Sequence, residues 1–300
     1  MSQSKLNIAV AGATGFVGLD LVYYLSRHPK VKICYLCAQK NIGNSIKKFD
    51  PRITKKLPKI SNLKNINWNK VDLLYLSLPN GGAQKIIKKL FKYAHLKFID
   101  LSADFRIESA KEYTKWYFLK HNSKNLIKKS IYSIPEFTKD KIKNYRIIAN
   151  PGCYPTSIQL PIIPLLKKSL IEPQEITIDS KSGYSGAGKN YKSKFDHKNI
   201  EKSIFAYGIE KHRHMSELDQ QLKKIVKNKL EYFFNPHLLP IFRGILTTIY
   251  VKTKKNVTIT KIHNELTKFH SKNKFIKILK INTPIGSGNV LNTNNCEISI

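Results

Sequence analysis

Cys153 has the setting that most invites chemistry. It lies in Asn150-Pro151-Gly152-Cys153-Tyr154-Pro155-Thr156, after a strand-like stretch and at the start of a helix-like one, with Pro155 near the first helical position. A thiol there meets the positive end of a helix, which favours the nucleophilic thiolate. The segment fits equally well a small apolar cysteine tucked under a turn. Fifty-nine residues on comes His212-Arg213-His214, with Glu217 close behind. An extended backbone would put His212 and His214 on one face. A cysteine with a distant histidine is the pattern of covalent catalysis with an acid/base partner. Two histidines alone are also an ordinary surface cluster that binds no metal.

A second constellation is Gly12-Ala13-Thr14-Gly15-Phe16-Val17-Gly18. Gly12 permits a tight turn, Gly15 lets backbone amides approach a pyrophosphate, and Gly18 allows close helix–sheet packing. The phosphates would sit at the helix N-terminus, where N–H groups and the dipole favour anions. Cys34-Tyr35-Leu36-Cys37 matches C-x-x-C, but on a strand the two side chains point to opposite faces. No second Cys/His pair has zinc spacing, so these read as buried strand cysteines and no metal is expected.

The elements that must position these groups follow from periodicity. Leu6–Ala11, Val31–Cys37, Val71–Leu78 and Lys97–Leu101 read as strands, and Phe16–Arg27 and Ala83–Ala94 as helices. The stretch 41–69 is a long polar loop with one short strand at most. This alternation implies βαβ units: a Rossmann-type α/β domain with a parallel sheet over residues 1–150. Beyond Arg146–Asn150, a strand, the texture changes. Helices are expected at Pro155–Leu170, kinked by Pro161 and Pro164, at Met215–Asn228 and at Ile259–His270. Strands are expected at Ile176–Ser182, Glu231–Phe234, Gly244–Thr253 and Phe275–Ile281. Residues 151–300 therefore read as an α+β domain with a mostly antiparallel sheet.

Composition narrows the partners. The 53 basic against 20 acidic residues give +33, yet only six bases are arginine (Arg27, Arg52, Arg106, Arg146, Arg213, Arg243). Nucleic-acid readers favour arginine's planar fork, and the 47 lysines are spread along the chain. No specific nucleic-acid partner is expected, only weak binding at low salt. No apolar run approaches the roughly 20 residues that span a bilayer, and the N-terminal run is too short for a signal peptide. Four cysteines in 300 residues form no disulfide framework. A cytoplasmic protein acting on a small molecule is the expectation.

With Leu101-Ser102-Ala103-Asp104-Phe105-Arg106, Ser182-Gly183-Tyr184-Ser185-Gly186-Ala187-Gly188, Tyr207-Gly208, Pro236-His237-Leu238 and Arg243-Gly244 added, the chain resembles the N-acetyl-γ-glutamyl-phosphate reductases. These are NADP-dependent enzymes of arginine biosynthesis related to aspartate-semialdehyde dehydrogenases. The motifs run in family order from residue 6 to about 290. The resemblance implies that Cys153 attacks an acyl phosphate to form a thioester, which hydride from NADPH reduces to a semialdehyde. It implies His212 as acid/base, with His214 and Glu217 in support. Arg106, Arg213 and Arg243 would bind carboxylate or phosphate. The loop carrying Ser182, Gly183, Gly186 and Gly188 would lie near nicotinamide and substrate. The cofactor would rest on Gly12–Gly18 and Pro79, and the assembly would be a homodimer or homotetramer.

There are departures. Cys37-Ala38-Gln39-Lys40 stands where many members carry Ser-Arg for the 2′-phosphate, which leaves Lys40 to supply that charge. Pro79-Asn80-Gly81 replaces the common Pro-His-Gly. Members continue past Cys296-Glu297-Ile298 into a closing helix beside the nicotinamide, whereas this sequence ends at Ile300, which implies a less tightly held ring. A related reductase acting on a carrier-linked aminoadipyl phosphate in lysine biosynthesis is the nearest alternative. An inactive remnant, or a basic binding protein on this scaffold, is another. Intact Cys153, His212 and the glycine loop argue against a decayed site.

Overall fold

The computed structural model describes residues 5–189, 199–226 and 229–300. The chain divides into two compact units, Met1–Pro151 and Gly152–Ile300.

The first unit holds β1 (Leu6–Ala11), β2 (Val31–Cys37), β3 (Ile60–Ser61), β4 (Leu73–Leu76), β5 (Lys97–Asp100), β6 (Ser130–Tyr132) and β7 (Ile147–Ala149). They form one sheet, in the order β3-β2-β1-β4-β5-β7-β6, parallel at every junction. Its core explains the pairing. Ile8 and Val10 of β1 pack to one face with Val22 and Leu36, while Ala9 and Ala11 pack to the other with Leu74 and Phe98. A strand buried on both faces carries a continuous apolar run, as parallel strands do. The helices are α1 (Phe16–Arg27), α2 (Gly82–Leu90), α3 (Ala110–Tyr117), α4 (Lys124–Ile127) and α5 (Pro135–Ile142). The α2 helix stops four residues short of the expected Ala94. Its exit is held by Arg146, whose guanidinium donates to the carbonyls of Phe91, Tyr93 and Leu96.

The second unit begins with α6 (Cys153–Lys167) and continues with β8 (Ile171–Gly183), β9 (Phe205–Ala206), α7 (Met215–Leu222), β10 (Tyr232–Leu239), β11 (Ile245–Thr253), α8 (Ile259–His270), β12 (Ile276–Ile278) and β13 (Cys296–Ile298). The main sheet has the order β11-β8-β10-β9. Two of its junctions are antiparallel and β8–β10 is parallel, so the sheet is mixed. A separate parallel pair joins β12 to β13. Along β8, Ile176, Ile178, Ser180 and Ser182 are buried, while Thr177, Asp179 and Lys181 face outward. The α6 helix packs on β8 and β11, with α8 against it.

Two expectations change here. The α7 helix ends at Leu222 instead of Asn228, and Asn228 lies outside the described residues. The α6 helix starts at Cys153 and runs through both prolines as one helix. Pro164 has no N–H for the Leu160 carbonyl. The buried His270 Nε2 meets that carbonyl instead, at 3.0 Å.

Candidate active site

In the first unit the glycine loop joins β1 to α1. Gly12 has φ +78°, and a Cβ there would lie 1.9 Å from the Ser77 carbonyl oxygen, so glycine is required. A Cβ on Gly18 would lie 2.1 Å from the Gly12 oxygen, so Gly18 lets α1 close down on the loop. The loop is tied to β2 by the Gly12 and Ala13 amides, which donate to the Cys37 carbonyl at 2.9 and 3.0 Å. Gly15 is the N-cap of α1 and has no side chain of its own to cap that end, and the first turn holds no acidic residue. A close-packed glycine loop leading into a helix start with no acidic first turn suits a dinucleotide's pyrophosphate. Thr14 is half-buried and Val17 exposed on that start. Lys40 is exposed just past β2, and Pro79 just past β4.

Arg106 is 8% exposed, and its guanidinium donates to the carbonyls of Asn150 (2.7 Å) and Leu101 (3.0 Å). It is thus engaged with the backbone just ahead of Pro151-Gly152-Cys153. Neighbouring Asp104 and Asp100 are fully buried. Burial, only partly offset by its bonds to Ser102, pushes the Asp100 carboxyl up to about 6.

In the second unit, Cys153 stands exposed on the first residue of α6. The other strand thiols differ. Burial pushes both Cys34 and Cys37 up, the first half-buried and the second buried. Glu217, fully buried in α7, accepts the Gly152 N–H at 2.8 Å and so clamps the N-cap of α6, the helix that Cys153 opens. Its other oxygen lies 3.9 Å from His214 Nε2. The His214 ring occupies the space that a Cβ on Gly152 would need, with Nε2 only 2.4 Å from that position. Of the two histidines, His214 is therefore the one that abuts the N-cap of α6.

His212 sits behind it, with ring centres 4.8 Å apart, among Tyr154, Tyr207 and Phe234. Its Nδ1 accepts the His214 backbone N–H at 3.2 Å. Burial first, then the charges of His214 and Arg213, push the His212 imidazole down to about 3. At neutral pH it is uncharged. Tyr207 donates to the Tyr154 hydroxyl (3.2 Å), which donates to the His237 carbonyl (3.1 Å). Burial raises both phenols, Tyr207 to about 12, and the Cys153 charge raises each further. Neither tyrosine was singled out from sequence, although both stand inside recognised motifs.

Ser182 is buried at the end of β8, its hydroxyl bonded to the Gly183 carbonyl. A Cβ on Gly183 would come within 2.7 Å of the Ile241 oxygen, which lets the 183–185 segment bond to 241–242. Gly188 takes φ +83°, whereas Gly186 is not forced by space. Arg243 lies over the Phe242 ring beside this loop, and Arg213 is exposed.

Residues 7–145 match the semialdehyde dehydrogenase NAD-binding domain, and residues 153–300 match the semialdehyde dehydrogenase dimerisation domain. The N-acetyl-gamma-glutamyl-phosphate reductase of Afipia carboxidovorans is 37% identical over 300 residues, covering 99% of this chain and 85% of the relative. That of Clostridium botulinum is 38% identical over 298 residues, 98% and 85%. A probable chloroplastic reductase of Arabidopsis thaliana is 37% identical over 299 residues, 99% and 74%. Among solved structures, aspartate semialdehyde dehydrogenase II from Vibrio cholerae superposes with TM-score 0.71 at 14% identity, covering 99% of this chain and 88% of that one. The Candida albicans enzyme with NADP gives 0.64 at 18%, with 94% and 84% covered. With this similarity running nearly end to end, the chain belongs to the N-acetyl-γ-glutamyl-phosphate reductase family of semialdehyde-dehydrogenase-type oxidoreductases.

Proposed function

We propose that this chain reduces N-acetyl-γ-glutamyl phosphate to N-acetylglutamate 5-semialdehyde and inorganic phosphate, with NADPH, in arginine biosynthesis. Similarity over 98–99% of this chain to reductases of that name carries the reading. The clamped, exposed Cys153 at a helix start fits the chemistry. Cys153 sulfur bonds to the γ-acyl carbon, and the carbon–oxygen bond to phosphate breaks with its electrons leaving on phosphate. The positive end of α6 supports the thiolate for this attack. The nicotinamide cofactor, when bound, supplies the hydride. The thiohemiacetal oxygen takes its proton from a histidine and returns it as the carbon–sulfur bond breaks. His214 is the better placed for this, because Glu217 offers its cation a counter-charge at 3.9 Å. Neutral His212 then fixes the His214 backbone, the reverse of the order expected from sequence.

Gly12–Gly18 would hold the pyrophosphate, Lys40 the 2′-phosphate and Pro79 the nicotinamide half. Ser182, Gly183, Gly186, Gly188, Arg213 and Arg243 would meet the substrate. The dimerisation domain is present, and its sheet exposes Phe233 (75%) and Tyr250 (63%) in one row with Thr177. That row supports a homodimer or a homotetramer. Among the described residues no helix is long and apolar enough to cross a membrane, and we place the chain in the cytoplasm. The deciding assay runs in reverse: phosphate-dependent reduction of NADP with N-acetylglutamate semialdehyde. Activity that ignores phosphate, or fails with this aldehyde, overturns the reading.

A further inference from the structure

We infer that Asp104, together with Asn80, is a positioning residue that fixes the nicotinamide-side wall of the cofactor site. The inference rests on the proposed NADP-dependent reading. The α2 helix enters through Pro79-Asn80-Gly81, with Gly81 at φ +85° and no side chain of its own at the N-cap. Asp104 supplies the cap from 23 residues away. One carboxylate oxygen accepts the Gly81 N–H at 2.7 Å, and the other accepts the Gln84 N–H at 3.0 Å. The first oxygen also accepts from the Tyr113 hydroxyl at 2.7 Å. Asn80 returns the contact, its side-chain oxygen accepting the Ala103 N–H at 3.3 Å. The 79–84 and 102–104 segments are thereby joined by three side-chain-to-backbone bonds. Behind them Gln84, Tyr113, His121 and Ser123 form a buried polar network that keeps Asp104 in place.

The location gives this clamp its role. The segment leaving β4 lies against the phosphate loop, since the Ser77 carbonyl is what a Gly12 side chain would strike. In the sheet, β1 has β2 on one side and β4 on the other. A dinucleotide whose pyrophosphate rests above β1 must extend its 2′-phosphate half towards Lys40, past β2. Its nicotinamide half then extends over the 79–82 loop, past β4. The buried carboxylate also accepts from two amides at the start of α2, Gly81 and Gln84. Asn80, where histidine is common, is the residue whose side-chain oxygen reaches the Ala103 amide.

The test compares two ligands on Asp104→Asn, which keeps the volume but offers one acceptor oxygen where two are used. NADPH binding, followed by its own fluorescence, is expected to weaken about tenfold or more, because the loop is held in its binding form for less of the time. Adenosine 2′,5′-bisphosphate, which lacks the nicotinamide half, should bind within twofold of wild type. Hydrogen exchange at the Gly81 and Gln84 amides should quicken. Asn80→Ala, outside the buried network, should show the same split more weakly, and it serves if Asp104→Asn does not fold. Equal weakening of both ligands would reduce Asp104 to a general stabiliser, and unchanged NADPH binding with faster exchange would also overturn the inference. Failure of the wild-type protein to bind NADPH would instead refute the underlying reading.

Discussion

Gly152→Ala is expected to disable the enzyme without unfolding it. Gly152 has φ −66° and ψ 158°, an extended conformation that alanine adopts freely. Its N–H would still donate to Glu217. The added methyl, however, would lie 2.4, 2.7 and 2.8 Å from three atoms of the His214 ring. Ordinary contact begins near 3.4 Å, so the imidazole must retreat by about 1 Å. A shift of that size in a catalytic group costs about 10²-fold in rate. Crowding a packed site costs about 1–3 kcal/mol, and the small end applies because a ring end can swing. Reverse-direction turnover at saturating substrates and urea unfolding separate the two effects. The decisive comparison is the same change in a His214→Ala background, where the methyl enters vacated space and should cost less than about threefold further. Wild-type-like turnover in Gly152→Ala, or a full 10²-fold loss in both backgrounds, would refute the placement of His214.

Iodoacetamide should label Cys153 faster than Cys34, Cys37 or Cys296 at neutral pH, with acyl phosphate protecting it; equal labelling of all four would remove it as nucleophile. His212 is held neutral down to about pH 3 in the folded protein, whereas the unfolded chain takes up that proton near 6.5. Its contribution is complete above about pH 6.5 and is lost as pH falls towards 3, so the stability gap between wild type and His212→Gln should narrow over that window in urea titrations. Lys40→Ala should reduce the preference for NADP over NAD by about tenfold, about 1.4 kcal/mol, and an unmoved ratio of dissociation constants would exclude Lys40. His270→Ala strands the Leu160 carbonyl, so about 1–3 kcal/mol of stability should go while turnover holds; a loss below about 0.5 kcal/mol would contradict that account.

Local signals were legible in the sequence, and long-range ones were not. Leu6–Ala11, Phe16–Arg27, Val31–Cys37 and Ile259–His270 have the bounds that periodicity predicts, because each is an unbroken apolar or amphipathic run. The Gly12–Gly18 loop follows from neighbours within seven residues. The stretch from 102 to 145 yielded no elements, because α3, α4 and α5 are short and held by buried polar contacts such as Ser123 to the Gln84 carbonyl. The direction of the β8–β10 pairing is invisible to alternation, which fixes the buried face but not the partner's sense. The family resemblance implies His212 as the acid/base with His214 in support; the packing of His212 against Tyr154, Tyr207 and Phe234, which sequence does not reveal, is what leads us to propose the reverse. Asp104 and Glu217 work through amides 20–23 and 65 residues away.

The 65-residue reach from Glu217 to the Gly152 amide also sets an order of events during translation. N-terminal units fold first as the chain emerges at about 5–20 residues per second. The cofactor unit, complete at Pro151, can thus close before the second unit has been made. Cys153 is synthesised at once afterwards, yet the carboxylate that clamps its helix and the histidine beside it follow some 3 to 13 seconds later at those rates. For that interval the start of α6 lacks the carboxylate that accepts the Gly152 N–H. The helix of the proposed nucleophile thus gains the carboxylate that holds its N-cap only when α7 docks.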